Sequence, residues 1–145
     1  MRGELYNALI EALKKVDDGA IKHIDLWNEN VYFIDEETAF EMPAVFVEFG
    51  EINWSSNVGK SHYRGTGTLN LHIVTPWNGS AAADSPDKDI LMKSIDLSKK
   101  IHKEIVNIKS AQFNGLELLR TITNHNHAEL LENIEVYGVK YVMEV

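Results

Sequence analysis

The chain predicts an α+β domain: a single, mainly antiparallel sheet with two helices packed on one face, in the order α-β-β-β-(β)-α-β-β. Three observations predict it. Two segments, one at the start and one past the middle, carry apolar residues at helical spacing. Between and after them lie short segments that alternate in polarity or run apolar, as strands do. No repeat or linker divides the 145 residues, so the whole chain, 1–145, reads as one domain with a real core.

The first helix is expected over residues 3–16. Leu5, Leu9, Leu13 and Val16 recur every three or four residues, with Ile10 alongside, and Asp17-Asp18-Gly19 ends the run. "AIKHIDLW" then gives a short strand. Val31-Tyr32-Phe33 suggests another, inside an acid-rich stretch that reads as an exposed loop. Pro43 opens "PAVFVEFG", where proline is tolerated because the first residue of a strand need not donate to the ladder. Val45, Val47 and Phe49 would share one face, and Ala44, Phe46 and Glu48 the other; "EINWSS" continues or pairs next. After the turn "NVGK", "SHYRGTGTLNLHIVTP" is the longest strand. It places Tyr63, Gly65, Gly67, Leu69, Leu71 and Ile73 inward and His62, Arg64, Thr66, Thr68, Asn70 and His72 on a wet face.

The loop 76–87 is rich in small residues and predicts mobility. Ser85 is a suitable N-cap and Pro86 a suitable first residue for the second helix, which should run to about Val106. Its stripe is Ile90, Ser94, Leu97, Ile101, Ile105 and Ile108, widened by Leu91 and Ile95. Fully burying each large aliphatic contributes about 1.5–3 kcal/mol, so the stripe must pack on something large, most simply the sheet. Asn114-Gly115 reads as a turn, and "LELLRTIT" and "NIEVYGVKYVMEV" as two closing strands.

Composition narrows the function classes. With no cysteine, disulfides, thiolate metal sites and cysteine nucleophiles are excluded. The opening residues lack the pattern of a signal peptide, and no apolar run reaches the ~20 residues of a membrane-spanning helix. The net charge of −8 disfavours attraction to nucleic acid by an overall basic field. Charge is also segregated. From His23 to Gly59 there are eight acids and no lysine or arginine, whereas from Pro86 to Lys109 six lysines outnumber four acids.

Few residues suggest chemistry. His125, His127 and Glu129 in "TITNHNHAELL" could offer three metal ligands, but Asn-His-Asn-His is also good turn composition between strands, and no second cluster accompanies it. Gly65 and Gly67 precede strand residues, not a helix N-terminus, so a phosphate loop does not fit and a close packing contact does. Asp35, Glu36 and Glu37 sit in an acidic loop, where carboxylates are ordinarily solvated. No Gly-x-Ser-x-Gly elbow is present. Trp27, Trp54 and Trp77 are aromatic anchors, and Trp77, in its small-residue loop, is the candidate for an interface. The residues therefore predict no enzyme, no catalytic residue and no cofactor.

The order of elements resembles a known family. An opening amphipathic helix ("ELYNALIEALKKV"), a proline-led strand ("MPAVFVEFG"), a long strand after a turn ("GTGTLNLHIVTP"), a second amphipathic helix ("DILMKSIDLSKKIHKEIVNI") and two closing strands are similar to phage tail terminator, or tail-completion, proteins, including the minor tail protein U group. The resemblance covers nearly the whole chain and rests on element order, with no signature motif. It implies a structural protein of a phage or prophage virion that forms a homo-oligomeric, hexameric ring on the tail tube and joins tail to head. It implies the tail tube protein and head-tail connector proteins as partners, passage of DNA without specific binding, no membrane, and assembly in the host cytoplasm. A ring needs two unlike patches per subunit. The acidic 23–59 region, with Asp35, Glu36 and Glu37, would line the pore or face Lys93, Lys99, Lys100 and Lys103 of a neighbour. The other readings are a small non-catalytic binding module and a metal-dependent enzyme using the histidines.

Overall fold

A computed structural model describes residues 1–28, 40–77, 79–124 and 130–145, the side chains of 57 and 58 excepted. Helix α1 (Arg2–Leu13) is followed by a 3-10 turn (Val16–Asp18), then by strands β1 (His23–Leu26), β2 (Ala44–Val58) and β3 (His62–Pro76). Helices α2 (Lys88–Ile95) and α3 (Leu97–Ile105) come next, and β4 (Phe113–Asn124) and β5 (Leu130–Glu144) close the chain. The five strands form one sheet in the order β1-β2-β3-β5-β4. The α+β class and the mainly antiparallel sheet are as the sequence predicts.

The core lies between the sheet and the helices. Leu5, Leu9 and Leu13 of α1 and Leu97, Ile101 and Ile105 of α3 cover Val45, Val47, Leu69, Leu71, Ile73, Tyr137, Val139 and Tyr141. The register explains this set. Val45, Val47 and Phe49 oppose Ile73, Leu71 and Leu69, and Leu69 opposes Tyr137, so one parity of three strands meets the helices. Gly65 and Gly67 sit on that same face. A Cβ added at Gly65 would lie 2.8 Å from Ile52 Cγ2 and from the Trp54 ring, and one at Gly67 would lie 2.9 Å from Ile52. Close packing is what these glycines serve.

Three local expectations change, and one open alternative is decided. β1 pairs with β2 in parallel, His23 to Ala44 through Leu26 to Val47, whereas sequence-adjacent strands were expected antiparallel. The long connection, residues 27–43, permits it, since parallel neighbours need a crossover of a dozen or more residues. "PAVFVEFG" and "EINWSS" form one strand with a bulge between Phe49 and Ile52. Asn114-Gly115 is a bulge inside β4, with Gly115 at φ 50°, a conformation glycine adopts without steric cost.

The second helix begins at Lys88 and breaks at Asp96. The Ser85 hydroxyl accepts from the Asp87 N–H at 3.2 Å, so the serine closes a turn just ahead of the helix. Leu91, not Ile90, is buried, and Ile90 is 67% exposed. Val31, Tyr32 and Phe33 lie outside the described residues.

The outer face of the sheet is not uniformly wet. Ala44, Phe46, Val74 and Leu130 form a second small core, with Trp27, Phe40 and Met42 packed against it.

Candidate functional site

Two features of the sheet stand out: a polar network on its outer face, and its two open edges.

The network centres on His72, which β3 presents on the outer face and which is 5% exposed. Its Nδ1 lies 2.8 Å from Glu132 Oε2, and its Nε2 lies 3.1 Å from Glu48 Oε1. Asn70 Nδ2 donates to Glu48 at 2.7 Å, and Asn124 Nδ2 donates to Glu132 at 2.9 Å. The Trp27 indole stacks on the imidazole, with ring centroids 3.7 Å apart and planes within 1°. Both ring nitrogens therefore face carboxylates and one ring face is covered. A general base needs a nitrogen turned toward a substrate, and His72 turns both toward protein. What the arrangement does is tie β2, β3 and β5 together under Trp27. Charged hydrogen bonds of this kind contribute about 1.5–3 kcal/mol each.

Sequence reasoning missed this network. Alternation placed His72 on the wet face, and the face is right, but Trp27 covers it. Phe46 and Val74, apolar at the same parity, were the signal that part of this face is buried.

The edges are unlike. At one end of the sheet β4 runs for 12 residues, and among the described residues no strand pairs with its outer side. Leu118, Leu119 and Ile122 are exposed on it, at 40%, 52% and 43%. At the other end β1 covers only Ala44 to Val47 of β2. Beyond Val47, no strand among the described residues pairs with the outer side of β2, where Trp54 is 37% exposed. The Gly50 carbonyl there accepts from Arg2 Nη2 at 2.7 Å, and the Arg2 guanidinium lies 5.5 Å from the centroid of the Phe49 ring.

The residues singled out from sequence are scattered. His125, His127 and Glu129 lie outside the described residues, as do Asp35, Glu36 and Glu37. Among the described residues no group of three or more histidine or acidic side chains could hold a metal. Trp77 is half-buried at the end of β3. Lys93, Lys99, Lys100 and Lys103 are all exposed on α2 and α3. Lys100 Nζ is paired with Asp17 of the same chain at 2.6 Å. No described helix is long and apolar enough to cross a membrane.

No family model and no curated protein matches the chain. Solved structures do. One is a chain of the "virion of native gene transfer agent (GTA) particle", at 12% identity and a TM-score of 0.55, with 95% of this chain and 94% of that chain covered. The two chains share a fold. Coverage this complete on both sides means that the likeness extends over the helices and the full sheet.

Proposed function

We propose that this protein is a structural component of a phage-like virion, and that copies of it assemble into the ring that ends a tail tube and joins it to the head. The observation that carries this reading is the end-to-end likeness to a virion chain, in keeping with the element order that resembles tail terminators. Two unlike sheet edges support the ring. A head-to-tail contact needs two different patches on each subunit, and an open edge is a row of unpaired N–H and C=O groups ready to meet another strand. In this reading the β4 edge of one copy lies against the β2 edge of the next, and Leu118, Leu119 and Ile122 exchange water for protein. The chain acts by assembly and not by catalysis. Its partners are further copies of itself, the tube protein and the head connector. DNA passes through such a ring without being held, because basic contacts are what hold DNA and the chain carries a net charge of −8.

The experiment is native mass together with electron microscopy of the purified chain, alone and mixed with tail tubes. Closed rings of a defined copy number are expected on tube ends. Leu119→Lys with Ile122→Lys should leave the far-ultraviolet circular dichroism unchanged and abolish the rings. A chain that stays monomeric with tubes present overturns the reading.

A further inference from the structure

A polar cavity elsewhere in the molecule carries an inference that does not depend on the ring. The inward parity of β5 is apolar at Tyr137, Val139 and Tyr141, but Asn133 and Glu135 continue it. Glu135 opposes Leu71, and Asn133 opposes Ile73, so both point to the helix side. Each is only 2% exposed. They line a cavity of about 330 Å³ between this end of the sheet and the kink where α2 meets α3. On its helix side stand Ser98, Lys99 and His102.

The polar groups of this cavity are incompletely matched. Glu135 Oε2 accepts from Thr121 Oγ1 at 2.5 Å, and Asn133 Oδ1 accepts from Thr123 Oγ1 at 2.9 Å. Among the described residues no cationic side chain lies within ion-pair distance of Glu135. The Ser98 hydroxyl is buried and has no hydrogen-bond partner. A buried carboxylate without a countercharge is costly, and a buried hydroxyl without a partner adds to that cost. Such a group is ordinarily completed by a cation that also donates hydrogen bonds. His102 does not supply it: it makes no ion pair or hydrogen bond with Glu135, and its Nδ1 lies 3.1 Å from the Tyr137 hydroxyl.

We infer that the cavity binds an alkyl cation, a guanidinium or ammonium head on a short chain. The head pairs with Glu135 and donates to Ser98 and Asn133, while its alkyl stem lies along Ile95 and Leu118, which also line the cavity. A guanidinium suits the site best, since two parallel N–H groups match a carboxylate. The head has two sources: a free diamine-like molecule, or an arginine or lysine side chain from a neighbouring protein chain.

Agmatine titrated into the purified chain, followed by nuclear magnetic resonance of the Glu135 side chain, tests this. A saturable shift is expected. Glu135→Gln should weaken binding at least tenfold while melting no lower than the parent, because it removes an uncompensated charge and keeps an acceptor for Thr121. Lys99→Met, which removes the one cation at the rim, should bind agmatine at least as tightly as the parent. Agmatine that binds the dispersed chain but is shut out of the assembled one identifies a neighbour's side chain as the source. Binding in both states identifies a free cation. The inference is overturned by no saturable shift in the dispersed chain, by equal binding in Glu135→Gln, or by loss of binding in Lys99→Met. All three overturning outcomes are read on the dispersed chain, so none of them bears on whether rings form.

Discussion

At the scale of single residues, the tyrosines of the core carry a consequence for pH. Tyr137, Tyr141 and Tyr6 all have phenols raised above the ordinary value of 10.0. Burial is the main cause in each. The charge of Glu135 adds to it at Tyr137 and that of Asp25 at Tyr6, whereas Arg2 opposes it at Tyr141. Burial disfavours the phenolate, so the folded chain keeps protons that the unfolded chain releases once pH passes 10. The native state then binds more protons than the unfolded state, and stability falls as pH rises. The stability these phenols contribute is fully present below about pH 9 and should be lost as pH rises above 10, seen as a decline in urea unfolding over that range. Tyr137→Phe should be less stable at pH 7 by about 1 kcal/mol, for loss of the His102 hydrogen bond. Its alkaline limb should be shallower. An unchanged alkaline limb would mean that Tyr137 titrates as freely as an exposed phenol.

Among the elements, the helical break at Asp96 shows what periodicity reads and what it misses. The spacing of Leu97, Ile101 and Ile105 predicts their burial, and all three are buried. Continued backward in a straight line, the same stripe selects Ile90. In α2 it is Leu91 that is buried instead, at 3% exposed. Leu91→Ala should cost about 2–4 kcal/mol through the cavity it leaves, and Ile90→Lys should stay within about 0.5 kcal/mol of the parent, both by chemical denaturation. The reverse ranking would restore a straight helix. The long strands were legible for a related reason. β3 holds one parity for 15 residues, and a one-residue slip would turn every leucine outward. What periodicity could not supply was information held outside each segment. The parallel partner of β1 depends on a distant strand. The cover over His72 depends on Trp27, 45 positions away, as their numbers give directly. Glu135 was in phase with Tyr137, Val139 and Tyr141 all along, and a carboxylate in phase with a core stripe is the sign of a polar pocket. His125, His127 and Glu129, the conspicuous cluster in the sequence, lie outside the described residues.

For the whole molecule, the question is which forces would hold copies together. One reading pairs the acidic 23–59 region of one subunit with the lysines of α2 and α3 on the next. Among the described residues, three of those groups already have partners: Lys100 is paired with Asp17, Asp25 lies beside His23 and accepts from the Leu26 N–H, and Glu48 is bonded to both His72 and Asn70. Exposed ion pairs among the remainder would each contribute at most about 1 kcal/mol. The edges offer more: backbone groups with no strand beside them among the described residues, and three large apolar side chains on β4. Salt separates the two cases. Raising ionic strength from 0.1 to 1 M shortens the screening length from about 10 Å to about 3 Å, which weakens exposed charge pairs and leaves strand pairing and apolar contact intact. Assembly carried by the edges should therefore keep its mass by light scattering across that range. Assembly carried by Lys93, Lys99 and Lys103 should lose mass as salt rises, and glutamine in place of those three lysines should reproduce the loss at low salt. Constant mass in the parent, with loss in Leu119→Lys and Ile122→Lys, is the outcome expected here. A mass that falls with salt would move the contact from the sheet edges to the helices.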